Sequence, residues 1–281
     1  MTATALNQPP TDRGDRLPAT IIPTWADPVA VAGRAAEPVV ELWNHLIDVA
    51  RVPQSESSAP AWIPEPARRW LEHAIAPDAP TARAALLKMT GHIKVGRWLP
   101  FRAIQLIAPS HGFVWVARAG WGPLSFTGFD SYGQGEGRMR WLLGGRIPLV
   151  TATGADVTRS DADRVALDAV WLPQSFANVQ WERSRAEDAV SAVRTIGHEA
   201  TPVELRIGEE GRLTSVRMQR WSAPDKAPWG RYPCGGIVDA EATFDGVTIP
   251  SRIRVGYWIG TDRWAQGEFF RCEITDAVFL P

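Results

Sequence analysis

Asp168 lies in the segment 160–172, and its neighbours three and four positions away are Val165, Trp171 and Leu172. An apolar setting of that kind raises a carboxyl pKa and suits the group to proton transfer near neutral pH. Arg164, four residues earlier, offers a plainer account, an i,i+4 ion pair on a helix face. In the strand FVWVAR, Arg118 shares a face with Val114 and Val116, while Phe113 and Trp115 share the other. A guanidinium leaving an apolar face can clamp a ligand oxygen or snorkel to solvent at a sheet edge. Asp130, Tyr132 and Glu136 fall in the glycine-rich DSYGQGEGRMRW, where flexible backbone lets polar side chains converge on a cavity mouth or leaves them on a solvated loop. His45 sits at the margin of an apolar stripe beside Leu42 and Val49, a boundary position or a pocket one. On this reading Asp168, Arg118 and Tyr132 are the catalytic candidates, and Trp115, Asp130, Trp171, Trp181 and His45 contact a ligand.

The chain carries 14 Trp against 3 Tyr and 9 Phe. Each Trp is a large apolar body with one N–H donor, and a core rarely needs so many, so a surplus predicts a ring-lined cavity for a hydrophobic small molecule beside ordinary packing. No cofactor is expected. The glycine run lacks the strand–loop–helix setting of a phosphate cradle, and GxSxG is missing. The five histidines and two cysteines show no metal-ligand spacing, so no metal is expected, and Cys234 and Cys272 read as reduced core residues.

The elements that must position these groups change period along the chain. Residues 27–52 place Val39, Leu42, Trp43, Leu46, Val49 and Ala50 at helical spacing, with Pro38 in the first turn. Further helices are predicted over 64–75, with Ala67, Trp70, Leu71 and Ala74 on one side, and over the Ala-rich 81–89. Beyond Gly91 the period becomes 2. Val203, Leu205 and Ile207 oppose Glu204 and Arg206; Ile253, Val255, Tyr257 and Ile259 oppose Arg252 and Arg254; and Val238, Ala240, Ala242 and Phe244 oppose Asp239, Glu241 and Thr243. Turns at 209–212, Asp245-Gly246 and 260–263 join these strands into an antiparallel meander. The segment 160–172 interrupts it as a helix capped by Ser160 and stopped by Pro173. The proline-rich 1–24 reads as a tail, and the polar 54–59 as a boundary between an N-terminal extension, 1–62, and a β domain, 63–281.

The string FVWVARA, DSYGQGEGRMRWLLGGRIPLV, RVALDAVWLPQSF, VQWERS, VELRIGEEGRLTSVRMQRW, APWGRY and GVTIPSRIRVGYW resembles a bacterial family known as domain of unknown function 6544. The resemblance implies a mainly β, α+β fold: one curved antiparallel sheet or half-barrel, similar to lipoprotein carriers, with helices over one face. It also implies a carboxylate at Asp168, where that family carries Glu. It implies no activity, and it leaves 1–62 as a candidate lid or interface.

Composition narrows the partners. With 281 residues, 30 Lys plus Arg against 31 Asp plus Glu and a net charge of -1, the chain lacks the basic footprint of a nucleic-acid binder. The opening MTATALNQPPTDRGDRLPATIIPTW has no charged start followed by a long apolar stretch, which predicts no signal peptide, no membrane span and a cytoplasmic protein. A homo-oligomer is compatible with this composition. Two function classes emerge: a cofactor-free enzyme of lyase, isomerase or cyclase type working by acid/base chemistry, and, as the alternative, a non-catalytic binding or carrier protein for an apolar ligand.

Overall fold

The computed structural model describes residues 22–52, 62–197 and 199–281. The expected tail, up to residue 21, and the boundary over 54–59 lie outside the described residues. The protein is mainly β. Six strands run from β1 to β6: Ala84–Val95, Arg97–Ala108, Gly112–Ala119, Phe126–Gly133, Glu136–Leu143 and Ile147–Ala152. Seven more, β7 to β13, span Gln180–Arg183, Ala189–Ile196, Glu199–Ile207, Leu213–Ser222, Gly230–Phe244, Val247–Tyr257 and Glu268–Leu280. They form one open antiparallel sheet in the order β6-β5-β4-β3-β2-β1-β13-β12-β11-β10-β9-β8-β7. The chain thus enters the sheet at its middle, walks to one edge, crosses to the other and walks back. β1 and β13 zip the halves together, with Ala84 opposite Leu280 and Ile93 opposite Phe270. Two tight turns carry positive φ at both central residues, Gln134-Gly135 and Asp245-Gly246, which is the backbone that a right-twisted hairpin requires.

Among the described residues four helices of five or more residues dress the sheet: α1 (Pro28–Ala32), α2 (Val40–Ala50), α3 (Glu65–Ala74) and α4 (Ala155–Asp168). The single helix expected over 27–52 is divided. Gly33, with φ of 56°, leaves helical geometry, and two 3-10 turns, the second holding Pro38, precede α2. Asp27 rather than a later residue caps the first piece, accepting from the Val29 N–H at 2.8 Å. The helix expected over 81–89 is instead the start of β1. Ala85, Leu87 and Met89 pack towards α3 and α4, while Ala84 and Leu86 pack towards α1 and α2. A strand covered on both faces loses its polar alternation and reads as a continuous apolar run. Helices therefore cover both faces, correcting the expectation of one. Ser160 does not cap α4, which starts five residues earlier after Gly154; Ser160 is buried inside it.

α4 packs on β3, β4 and β5 and also on β8, β9 and β10. In a flat sheet about 38 Å, eight strand spacings, would separate β4 from β9. A helix of 14 residues spans only about 21 Å. The sheet must curl around α4, and the face it curls towards is the concave one. α1 and α2 lie on the convex face, over β1 to β4.

The concave core is anchored where α3 meets the segment after α4. Trp70 is almost fully buried and its ring meets that of Phe176 edge-on, centroids 4.9 Å apart. Trp70→Ala is expected to cost about 3–5 kcal/mol in urea unfolding through lost transfer energy and a cavity. The exposed Trp229 provides the contrast, since its replacement by Ala should stay within about 0.5 kcal/mol. Equal losses at the two positions would show that burial under α3 does not anchor the fold.

Candidate functional site

α4 carries charge into the interior. Asp161, Arg164 and Asp168 fall three and four residues apart and face β2 to β5 on one side of the helix. Gln105, Trp115 and Asp130 stand opposite one another on β2, β3 and β4. The Gln105 side-chain amide donates to Asp168 Oδ2 at 2.8 Å, and Arg164 Nε donates to the same oxygen at 3.1 Å. The other end of Arg164 donates to Asp130 Oδ2 at 2.9 Å, and Trp141 Nε1 donates to Asp130 Oδ1 at 2.9 Å. The guanidinium lies over the rings of Phe113 and Trp115, 4.6 and 5.2 Å from their centroids. One cation thus bridges two carboxylates above an aromatic floor.

A second seam faces β9 to β11. Asp163 accepts from the Trp221 N–H at 2.6 Å, from Arg231 at 2.8 Å and from the Thr201 hydroxyl at 3.2 Å. Arg231 also reaches Glu199, which pairs with Arg159. Arg220 donates to the backbone carbonyl and hydroxyl of Ser160. Each seam fixes α4 to one half of the sheet. Of the interior carboxylates, Asp161 differs: its Oδ2 is buried and has no hydrogen-bond partner among the described residues. Burial, then the nearby Asp130 charge, push its carboxyl up to about 7 against the opposing pull of Arg220 and Arg164.

The residues nominated from the sequence do not form one site. Asp168 and Asp130 share the Arg164 bridge, and Trp115 lies beneath it. Arg118 points from the convex face, where it lines a cleft of about 520 Å³ with Arg34, Gly122 and Thr127. Tyr132 lines a different cavity of about 440 Å³ beside the start of α4, where burial raises its phenol pKa. His45 lines a third, about 510 Å³, between α2 and the β4–β5 hairpin. Trp115, Trp171 and Trp181 are only 2, 4 and 7% exposed and pack as core. Trp115 Nε1 contacts Met89 Sδ at 3.4 Å, and Trp171 Nε1 donates to the Pro250 carbonyl at 3.1 Å. These three rings are spent on packing.

The residues 61–279 match the model of a Family of unknown function (DUF6920). The chain belongs to that family. This corrects the resemblance to domain of unknown function 6544. The strings that suggested it fall on β3 to β7, α4 and β9 to β12. No curated protein matches the sequence. Three solved structures are similar. An outer membrane lipoprotein-sorting protein domain from Vibrio parahaemolyticus has 9% identity and a TM-score of 0.39, covering 70% of this chain and 85% of that one. A DUF1329 family protein from Desulfovibrio piger has 10% identity and a TM-score of 0.34, covering 76% and 90%. A LolA superfamily protein from Nitrosomonas europaea has 11% identity and a TM-score of 0.39, covering 76% and 93%.

The main expectation, an acid/base site built from Asp168, Arg118 and Tyr132, is corrected by where these residues lie. Within the molecule, Arg118 and Asp168 stand on opposite faces of the sheet, and the Asp168 oxygen nearest Arg164 is already occupied twice. Sequence reasoning missed Asp161, Gln105 and Arg220. Gln105 left a readable signal, a lone amide on the face that Phe101, Ala103 and Ile107 share. Asp161 left none, because its burial depends on where the sheet curls.

The raised Asp161 carboxyl gives a signed expectation. Between the ordinary carboxylate range and pH 7 the folded protein keeps this proton and the unfolded chain releases it, so stability falls as pH rises through that window. The loss amounts to at most about 4 kcal/mol. Urea unfolding at pH 4.5 and 7.5 should show this slope, and Asp161→Asn should flatten it. An unchanged slope in the variant would mean that the Asp161 proton is not linked to folding.

Proposed function

We propose that this protein is a non-catalytic binding protein for an apolar small molecule, held on the concave face of a half-barrel-like sheet at the end that α4 does not cover. The carrying observation is a cross-strand row of apolar side chains left half-buried. Register sets Ile93 opposite Phe270 and Phe270 opposite Val255, so three adjacent central strands contribute to one face. Phe101 stacks on Phe270 with centroids 4.9 Å apart, and Trp141 leans on Trp115 at 5.6 Å. Ile93, Trp141, Val255 and Phe270 each keep one side against the core and present the other to solvent. Exposed apolar area gathered on a concave surface gains free energy when a ligand removes it from water.

Support also comes from what the interior polar groups do. Asp130, Asp163, Arg164 and Asp168 are engaged with one another or with neighbouring donors, which suits a scaffold better than a proton-transfer site. Among the described residues no helix is long and apolar enough to cross a membrane. The test is titration of a fluorescent acyl-chain probe into the full chain. Saturable binding is expected, weakened at least about ten-fold by Phe270→Ser and by Val255→Ser, with unfolding midpoints close to that of the unaltered protein. No probe binding, or equal binding by well-folded variants, would overturn the proposal.

A further inference from the structure

Large apolar side chains stand in water at one corner of the sheet. Trp121 and Leu124, in the loop between β3 and β4, are 67 and 71% exposed, and Ile147, at the start of edge strand β6, is 60% exposed. Leu149 and Val150 continue the exposure along β6. The two loops at this corner are tied together, the Gly144 N–H donating to the Ser125 carbonyl at 2.8 Å. The Trp121–Leu124 loop therefore abuts the turn that leads into β6.

Arginines flank the Trp121–Leu124 loop. Arg164, Arg206, Arg217, Arg231 and Arg254 each meet a carboxylate within 3.1 Å. Among the described residues Arg34, Arg102, Arg118 and Arg146 have no such partner. Arg102 and Arg118 stand opposite one another on β2 and β3 and, with Trp121, line a shallow cleft of about 490 Å³. Arg34 and Arg118 line the neighbouring cleft, and neither cleft contains an acidic residue. Two arginines with no carboxylate partner among the described residues, Arg102 and Arg118, thus flank the most exposed Trp of a protein of net charge -1.

We propose that this corner docks on the surface of an anionic phospholipid bilayer. Trp121 and Leu124 enter the headgroup layer, where an indole places its apolar body towards the acyl chains and its N–H towards water. The arginines meet lipid phosphates, for which a forked guanidinium is the fitting donor. A second copy of the chain adding a strand to β6 fits less well. Pro148 removes a donor from the middle of that edge, and the register breaks between Trp141 and Leu142.

The test is co-sedimentation of the full chain with phosphatidylcholine vesicles, with and without phosphatidylglycerol. Binding to the anionic vesicles is expected to be at least about ten-fold tighter than to phosphatidylcholine alone, and to weaken as salt is raised. The double variant Trp121→Ser, Leu124→Ser should lose at least about ten-fold of that binding with its unfolding midpoint unchanged, because both residues are exposed. Arg102→Gln with Arg118→Gln should abolish the preference for phosphatidylglycerol. Absence of sedimentation, equal sedimentation by the Trp121 and Leu124 variant, or a dimer that this variant dissolves would each overturn the proposal. Phe270→Ser separates it from the ligand site: full vesicle binding by that variant is expected, and its loss would place the contact at the concave face instead.

Discussion

Bringing α4 into the interior requires that every charge it carries find a counterpart there. Stripping an unpaired ion of water costs several kcal/mol, and removing one member of a buried pair leaves that cost uncompensated. Arg164 meets this by spanning Asp130 and Asp168, and Asp163 by gathering Arg231, the Trp221 N–H and Thr201. Since the partners belong to β4 on one side and to β9, β10 and β11 on the other, satisfying them fixes how far the sheet must curl. Asp161, with one oxygen unmatched, is the place where this arrangement is least complete.

The curl divides the labour of the two faces. Beneath α3 and α4 the concave face holds the packed rings of Trp70, Trp115, Trp171 and Trp181. Where those helices stop, the same rows of strands run on, and Ile93, Val255 and Phe270 are left half in water. The convex face is covered over β1 to β4 by α1 and α2, while their outer neighbours β5 and β6 end in exposed Ile147, Leu149 and Val150. Apolar exposure on the sheet's two faces thus includes places where a covering element ends.

Two features show how strand parity both guides and misleads. Arg118 alternates faithfully with Trp115, and that alternation puts it on the face away from Asp168. Glu241 does the opposite. Bulges on either side of Ala240 turn it from the solvent face expected by alternation to one where it accepts from the Leu213 N–H at 3.0 Å and pairs with His73 of α3 at 2.9 Å. The change is local, since Phe244 beyond the bulges packs on the same core as Val238 before them, and nothing in the local residue types announces it.

Residue order alone determined the mainly β character, the meander of β8 to β13, the position of α3 and the hairpin turns, because apolar period and turn glycines are local properties. It also carried the Arg164–Asp168 pair, since a spacing of four closes on any helix. It misread β1 as helix, where two covered faces erased the alternation, and it placed Trp115, Trp171 and Trp181 around a void although they pack as core. Which carboxylates share Arg164, which face Arg118 leaves from, and where the concave surface stays uncovered were decided only by tertiary structure. The physical reason is that each depends on strands distant in sequence meeting under one helix, and Asp130 and Arg164, 34 residues apart, touch only once the sheet has curled.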